Sequence, residues 1–286
     1  MKILVTGKMG QLGSELGVLA AQYPQYQWFF VEKEDMDLTD ESSIHRVLNT
    51  VNPELIINTA AHTAVDRAES EPELADAINH QAVKSMALWA QAHSCKVLHI
   101  STDYVFDGNS SVPLTEESAT APINVYGKTK RLGELALIDS GASYIIIRTA
   151  WVYSSFGANF VKTMLRLMQE RKEIQVVQDQ VGAPTYARDL AQAILHIISS
   201  DRWIDGVYHY SNDGAISWYQ FAQAIQEETA LDCKVVPIDS SAFPTPAKRP
   251  HYSLLDKNKI IRTYGVQVPE WRESLRAVLN LLKPNL

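Results

Sequence analysis

Ile3-Leu4-Val5-Thr6-Gly7-Lys8-Met9-Gly10-Gln11-Leu12-Gly13 carries a short apolar run straight into three glycines spaced three positions apart. A run of this kind followed by a glycine turn and an amphipathic segment reads as strand, tight loop and helix. Gly7, Gly10 and Gly13 then permit the turn, close backbone approach to a diphosphate, and close packing of helix on strand. Backbone N–H groups of Gly10, Gln11 and Leu12 at the helix start suit phosphates, aided by the positive end of the helix dipole. The loop lacks the Gly-Lys-Ser/Thr ending of a triphosphate-binding loop, which disfavours adenosine triphosphate.

Outward from this loop the first half of the chain alternates apolar runs with amphipathic segments. Strands are predicted at Ile3–Thr6, Trp28–Glu32, Leu55–Asn58, Val97–Ser101 and Tyr144–Arg148. Helices are predicted at Gln11–Ala21, Glu41–Thr50, Glu73–Ala92 and Asn124–Asp139. Continuous runs such as Leu55-Ile56-Ile57 and Ile145-Ile146-Ile147 suit strands buried on both faces. Right-handed β-α-β units follow, and the fold class is α/β: a doubly wound, Rossmann-like parallel sheet. After about Trp151 the rhythm loosens. Helices are expected at Asn159–Arg171, Ala187–Ile198, Ser217–Thr229 and Glu270–Leu282, with strands at Ile174–Val177, Gly206–Tyr210 and Lys234–Ile238. A turn is read at Gly182-Ala183-Pro184, and the prolines of segment 240–249 argue against regular structure there. The expected division is a dinucleotide-binding domain over 1–150. A smaller mixed α/β domain, mainly substrate-binding, covers 151–286, with some segments returning to the first.

Composition narrows the function. Of 286 residues 46% are hydrophobic and 21% charged, which excludes a disordered or collagen-like chain. A formal charge of −7 and the lack of any long basic run exclude nucleic-acid partners and an anionic membrane surface. No stretch approaches the ~18 apolar residues of a membrane span. Cys95 and Cys233 make neither a metal-ligand spacing nor a disulfide framework, which fits a reducing cytoplasm.

Glu32, closing the second predicted strand, stands where an acid meets the adenosine ribose hydroxyls. A carboxylate there disfavours a 2′-phosphate, while the neighbouring Lys33 softens the preference, so NADPH and NADH both stay open. Asp37 and Leu38 are placed to flank the adenine. Tyr126-Gly127-Lys128-Thr129-Lys130 puts Tyr126 and Lys130 one turn apart on one helix face. A nearby ammonium is expected to lower the phenol pKa from about 10 and suit it to proton exchange with a substrate oxygen. Thr102, after the fourth predicted strand, supplies a hydroxyl at the same carboxyl-end rim.

With these elements in place the sequence resembles the extended short-chain dehydrogenase/reductase family, and within it the reductases of nucleotide-linked 4-keto sugars. The matching stretches are Gly7–Gly13, Asn58–Asp66, Ala68-Glu69, Ser101–Phe106, Asn124–Lys130 and Arg148–Tyr153. Asn159-Phe160, Asp179-Gln180, Gly182–Thr185, Pro244–Ala247 and Arg249-Pro250 continue the series over nearly the whole chain. The resemblance implies reduction by NADPH or NADH of the C4 keto group of a dTDP-sugar, dTDP-4-dehydro-L-rhamnose, to dTDP-L-rhamnose.

It further implies that Tyr126 protonates the developing alkoxide, Lys130 lowers its pKa and holds the nicotinamide ribose, and Thr102 replaces the usual serine. Ala60, Ala61 and Thr63 would line the cofactor. Val65, Tyr104 and Trp151 would surround the sugar or its nucleotide, Asn159 would reach a phosphate or act as a plain helix cap, and Arg249 would clamp the diphosphate. His62 is read as structural. Some relatives hold a metal at a homodimer contact. Glu15 fits one ligand place, but Arg188 and Leu281 stand at the others, so no metal is expected and the homodimer stays open. A reductase or epimerase of another nucleotide sugar, or a non-catalytic cofactor-binding regulatory subunit, remain the alternatives.

Overall fold

The computed structural model describes residues 1–200 and 202–282. Strands β1 (Lys2–Thr6), β2 (Gln27–Val31), β3 (Leu55–Asn58), β4 (Lys96–Thr102) and β5 (Tyr144–Thr149) form where the apolar runs lie. Between them come helices α1 (Gln11–Ala20), α2 (Glu41–Val51), α3 (Val65–Ser70), α4 (Pro72–Asp76), α5 (Ala82–Ala92) and α6 (Val125–Asp139). Alternate strand residues face opposite helical layers. Ile3, Val5, Leu55, Ile57, Ile145 and Ile147 join one core with Leu12 and Leu16 of α1. Leu4, Ile56, Val97 and Ile146 join the other with Val47 of α2 and Met86 of α5. Burial on both faces is the reason these strands read as unbroken apolar runs.

The chain then forms β6 (Val152–Tyr153), α7 (Phe160–Glu170), β7 (Glu173–Val177), β8 (Val181–Gly182), β9 (Thr185–Tyr186) and α8 (Ala187–Ser199). It continues through β10 (Gly206–His209), β11 (Ile216–Ser217), α9 (Trp218–Thr229), β12 (Lys234–Ile238), α10 (Asn258–Tyr264) and α11 (Trp271–Leu282). β10 pairs in parallel with β5, which completes a six-stranded sheet in the order β10-β5-β4-β3-β1-β2. Helix α8 packs its Leu190 and Ile194 into the α1 side of that sheet. Short pairs β7/β12, β6/β9 and β8/β11 support a third core around Tyr153, Leu165, Ile174, Phe221 and Leu275.

Two expectations change. The single helix expected over Glu73–Ala92 is interrupted by a π-helical turn at Ala77–Gln81, between α4 and α5. That turn points Asn79 inward, where its amide accepts from His62 N at 2.8 Å and donates to His62 O at 3.1 Å. Segment 240–249 is not wholly irregular either. Ser240–Ala242 form one 3-10 turn, anchored by Asp179 accepting from Ser240 N and Oγ and finished before Pro244. Helices α3 and α10 had no counterpart in the sequence reading. Among the described residues no helix is long and apolar enough to cross a membrane.

Candidate active site

In a sheet of this order ligands bind beyond the carboxyl ends of the strands, at the point where the order reverses, here between β1 and β3. The glycine loop lies there. Gly7 has φ +72°, and a Cβ on it would sit 3.0 Å from the Ala60 backbone. A Cβ on Gly13 would stand 2.1 Å from Gly7 O, so helix α1 starts directly on the loop. Gly10 is the helix cap and makes no side-chain cap bond, which leaves the first-turn amides of Gln11 and Leu12 for an anion. Ala60 and Ala61 lie half-buried beside the loop, with Thr63 exposed beyond them. This cradle, closed to any side chain on Gly7 or Gly13, fits a dinucleotide diphosphate.

The Glu32 carboxylate accepts the Met9 N–H at 2.8 Å and so braces the glycine loop. Asp37 accepts from Thr39 N and Oγ1 within its own turn, and those bonds hold its carboxyl below the ordinary range. Leu38 is half-buried against the α2/α5 core.

Thr102 ends β4 and is 5% exposed; its Oγ1 accepts from Tyr104 N at 3.2 Å and lies 3.1 Å from Asp103 Oδ1. Tyr126 and Lys130 come to the same rim on α6, whose start is tightly fixed. Asn124 caps it by accepting from Gly127 N at 2.7 Å and donates to Lys248 O at 2.7 Å. Gly127 is required because a Cβ there would sit 2.1 Å from Tyr104 O. The Tyr126 ring meets Tyr104 edge-on, with centroids 5.6 Å apart. Lys130 is 1% exposed; its Nζ donates to Ile100 O at 2.6 Å and lies 3.3 Å from His99 Nε2.

The expected acidification of Tyr126 by Lys130 is not what this geometry gives. Burial pushes the phenol up to about 12, against a smaller opposite pull from Thr102, and the Asp103 carboxylate raises it further. Burial also lowers the Lys130 ammonium to about 8, opposed by Glu134. Spacing alone showed the pair but not its desolvation. Glu134 itself is completely buried and held ionised by Arg148, which it meets in a two-bond pair at 2.8 Å each.

The substrate-side candidates separate into groups. Val65 and Tyr104 pack with Tyr126 over Ala68 and Ala75. Trp151, at φ +49°, stacks on Trp218 with centroids 3.6 Å apart. Arg249 is engaged bidentately by Asp66, Nη2 to Oδ2 at 2.7 Å and Nη1 to Oδ1 at 3.2 Å. This pair ties the 244–250 strap across the rim to α3, and Asp66 also accepts from Ala247 N. Asn159 is not with this group: Oδ1 caps α7 at Lys162 N, while Nδ2 donates to Ser154 O and to Gln11 Oε1. It therefore joins the start of α1 to the second half of the chain, the cap reading of this residue. Glu15 is buried against Ser154 Oγ at 2.6 Å and Arg188 Nε at 3.0 Å, so a guanidinium sits beside the one carboxylate considered for a metal.

Sequence reasoning missed Asn79, Asn124, Gly127, Asp66 and the Glu134–Arg148 pair. Only Asn124, a capping residue type at the very start of a predicted helix, left a usable local signal.

The family model described as "RmlD substrate binding domain" matches residues 1–283. A dTDP-4-dehydrorhamnose reductase of Escherichia coli (strain K12) is 42% identical, over 99% of this chain and 98% of its own length. The crystal structure of a dTDP-4-dehydrorhamnose reductase from Clostridium acetobutylicum superposes with a TM-score of 0.95 at 41% identity, covering 99% of this chain and 100% of that one. A dTDP-4-dehydrorhamnose reductase from Bacillus anthracis, solved in complex with NADP, gives 0.93 at 38% identity over 98% and 99% of the two chains. Matches of this identity and coverage mean that the chain belongs to the dTDP-4-dehydrorhamnose reductase family.

Proposed function

We propose that this protein is a cytoplasmic, NADPH- or NADH-dependent reductase that converts dTDP-4-dehydro-L-rhamnose to dTDP-L-rhamnose. The observation that carries the reading is the Tyr126 phenol, buried beside the Thr102 hydroxyl at the carboxyl-end rim that also carries the glycine loop. Residues 1–150 hold the cofactor in this reading, and 151–286 supply most of the sugar-nucleotide contacts.

Gly7, Gly10, Gln11, Leu12 and Gly13 take the diphosphate, and Glu32, Asp37, Leu38, Ala60, Ala61 and Thr63 line the rest of the cofactor path. When bound, the reduced nicotinamide supplies the hydride to the C4 carbonyl carbon. Thr102 donates a hydrogen bond to the carbonyl oxygen, and Tyr126 transfers its phenolic proton as that oxygen becomes an alkoxide. The raised phenol pKa suits this direction. At neutral pH the proton to be given is present, and an alkoxide is more basic than a phenolate, so transfer runs downhill. Lys130 then faces the phenolate with its positive charge and holds the nicotinamide ribose. Val65, Tyr104 and Trp151 shape the sugar side, and Arg249 meets the nucleotide diphosphate by exchanging Asp66 for it.

The test is the loss of reduced-nicotinamide absorbance on adding dTDP-4-dehydro-L-rhamnose. Stoichiometric oxidation is expected for wild type, and Tyr126→Phe should be slower by about 10²–10⁴-fold, the usual contribution of a general acid. An epimerase would show no net oxidation. Unimpaired turnover by the phenylalanine variant would remove Tyr126 from the reaction.

A further inference from the structure

A row of buried polar side chains runs beneath the sheet rim from the glycine loop to the catalytic helix, and Thr6, Asn58 and His99 in it have no part in the proposed reaction. Ala60 N donates to Thr6 Oγ1 at 3.2 Å, and Thr6 Oγ1 donates to Asn58 Oδ1 at 2.6 Å. Asn58 Nδ2 lies 3.0 Å from His99 Nδ1, and His99 Nε2 lies 3.3 Å from Lys130 Nζ. Thr6, Asn58, His99 and Lys130 are 2%, 1%, 0% and 1% exposed. A central strand of a parallel sheet is served best by apolar side chains, and each of these polar groups costs desolvation unless paired. A histidine set against an ammonium in such a place calls for a reason beyond packing.

We infer that His99 is a positioning residue for the Lys130 ammonium, accepting one of its N–H groups while the Ile100 carbonyl accepts a second, so that the third is directed into the crevice. The inference rests on the reductase reading for its use in catalysis. An ammonium has three donors and no acceptor, so His99 can hold it only as a neutral ring with its lone pair on Nε2 and its proton on Nδ1. That requires the Asn58 amide turned end for end from the arrangement above, with Oδ1 accepting from His99 Nδ1 and Nδ2 donating to Thr6 Oγ1. In the arrangement above, Nδ2 faces Nδ1, the ring proton lies on Nε2, and the partner that fits is an uncharged Lys130 amine. The two charge states of Lys130 are thus matched to two tautomers of His99, and through Asn58 and Thr6 to the Ala60 amide beside the glycine loop.

The surrounding charges support this arrangement. Burial, then the Lys130 charge, holds His99 well below its ordinary pKa, so the ring stays neutral while Lys130 titrates. Glu134 on the same helix acts on Lys130, and it is tied to Arg131 and to Arg148 of β5. Asp103, beyond β4, acts on Tyr126. β1 and β3 contribute only the uncharged Thr6 and Asn58, and the π turn contributes Asn79, which donates to Thr129 Oγ1 at 3.2 Å.

Two measurements test the inference. Nitrogen-15 NMR of His99 in the full chain, from about pH 6 to 10, should show a neutral ring whose Nε2 changes from acceptor to N–H as Lys130 titrates. In Lys130→Met that change should disappear. A ring that keeps one tautomer throughout, or that titrates alike in both proteins, overturns the proposal. The second measurement is the pH profile of kcat/KM for the keto sugar nucleotide. His99→Leu removes the acceptor, so the basic limb should move down by about one pH unit, a roughly tenfold loss near that limb, and His99→Gln should restore it. A folded His99→Leu with the wild-type limb and cofactor KM refutes the positioning role. Should wild type fail to oxidise the cofactor at all, the reductase reading falls and the NMR result alone decides whether His99 holds Lys130.

Discussion

Gly13→Ala tests the cradle most directly, because its cost can be worked from the structure. The added Cβ would lie 2.1 Å from Gly7 O, 2.8 Å from Gly7 C and 3.1 Å from Lys8 Cα, all backbone, whereas ordinary contact begins at 3.4 Å. Helix and loop must separate by about 1 Å at the nearest point, and overpacking of this kind costs about 1–3 kcal/mol. Unfolding entropy near ~2.1 cal/mol/K per residue makes this a fall of about 2–5 °C in Tm for a chain of this length. The separation also moves the first-turn amides away from the diphosphate, where each charge-assisted bond is worth about 1.5–3 kcal/mol, so NADPH affinity should drop at least tenfold. Gly17→Ala is the internal control. It lies on the exposed side of the same helix, and its Cβ would meet only Phe30 Cε1, at 3.9 Å. There alanine should gain about 0.5–1 kcal/mol and leave binding unchanged. Thermal unfolding and a calorimetric NADPH titration of both variants give the answer. Wild-type affinity in Gly13→Ala, or equal losses in both variants, would refute the view that the loop and α1 bind as one close-packed unit.

Three further outcomes are expected. Thr102→Val removes the hydroxyl that serves Tyr104 N and faces Tyr126, and should cut kcat by about 10²-fold, while Thr102→Ser stays near wild type in the same cofactor-oxidation assay. Glu134→Ala leaves Arg148, 2% exposed, without its carboxylate; it should cost about 3–5 kcal/mol, seen as a clear fall in denaturant midpoint. Asp66→Asn should loosen the 244–250 strap, read as faster amide exchange at Ala247 with little change in Tm, since the ion pair is partly exposed. Asp66 has its pKa lowered, first by the Arg249 hydrogen bond, so wild type keeps the latch above the unfolded carboxylate pKa of about 4. It loses the latch as pH falls through the lowered value, and its exchange rate at Ala247 should then approach that of the variant.

The parts legible in the sequence are those whose physical cause is local. Leu55-Ile56-Ile57 is an unbroken apolar run because both faces of β3 are covered, and that burial leaves its mark on each of the three. The glycine loop and the Tyr126/Lys130 pair are fixed by spacings of three and four residues, which a turn and a helix translate directly into shared direction. The π turn at Ala77–Gln81 left no such mark, because its cause is the inward amide of Asn79 meeting a loop 17 residues away. Asp66 and Arg249 are separated by 183 positions, and nothing near either names the other. His99 sits inside an apolar strand, where a single polar residue reads as an exception rather than a partner. The electrostatics failed for the same reason: residue order shows that an ammonium is one turn from a phenol, not that both are dry.

That dryness determines what α6 can do. Four contacts from separate parts of the chain hold the helix: Asn124 to the strap, Gly127 against the Tyr104 carbonyl, Gly133 against Asn79 O, and Glu134 to Arg148 of β5. A side chain on Gly133 would stand 2.2 Å from that Asn79 oxygen, so the π turn and α6 are packed backbone to backbone. A helix restrained at four points places a phenol more narrowly than a loop can, and placement within a fraction of an ångström is worth several kcal/mol of barrier. The same packing removes water from Tyr126 and Lys130, raising one pKa and lowering the other. Rigidity and desolvation are therefore one structural property. It favours the protonated phenol that a ketone reduction consumes.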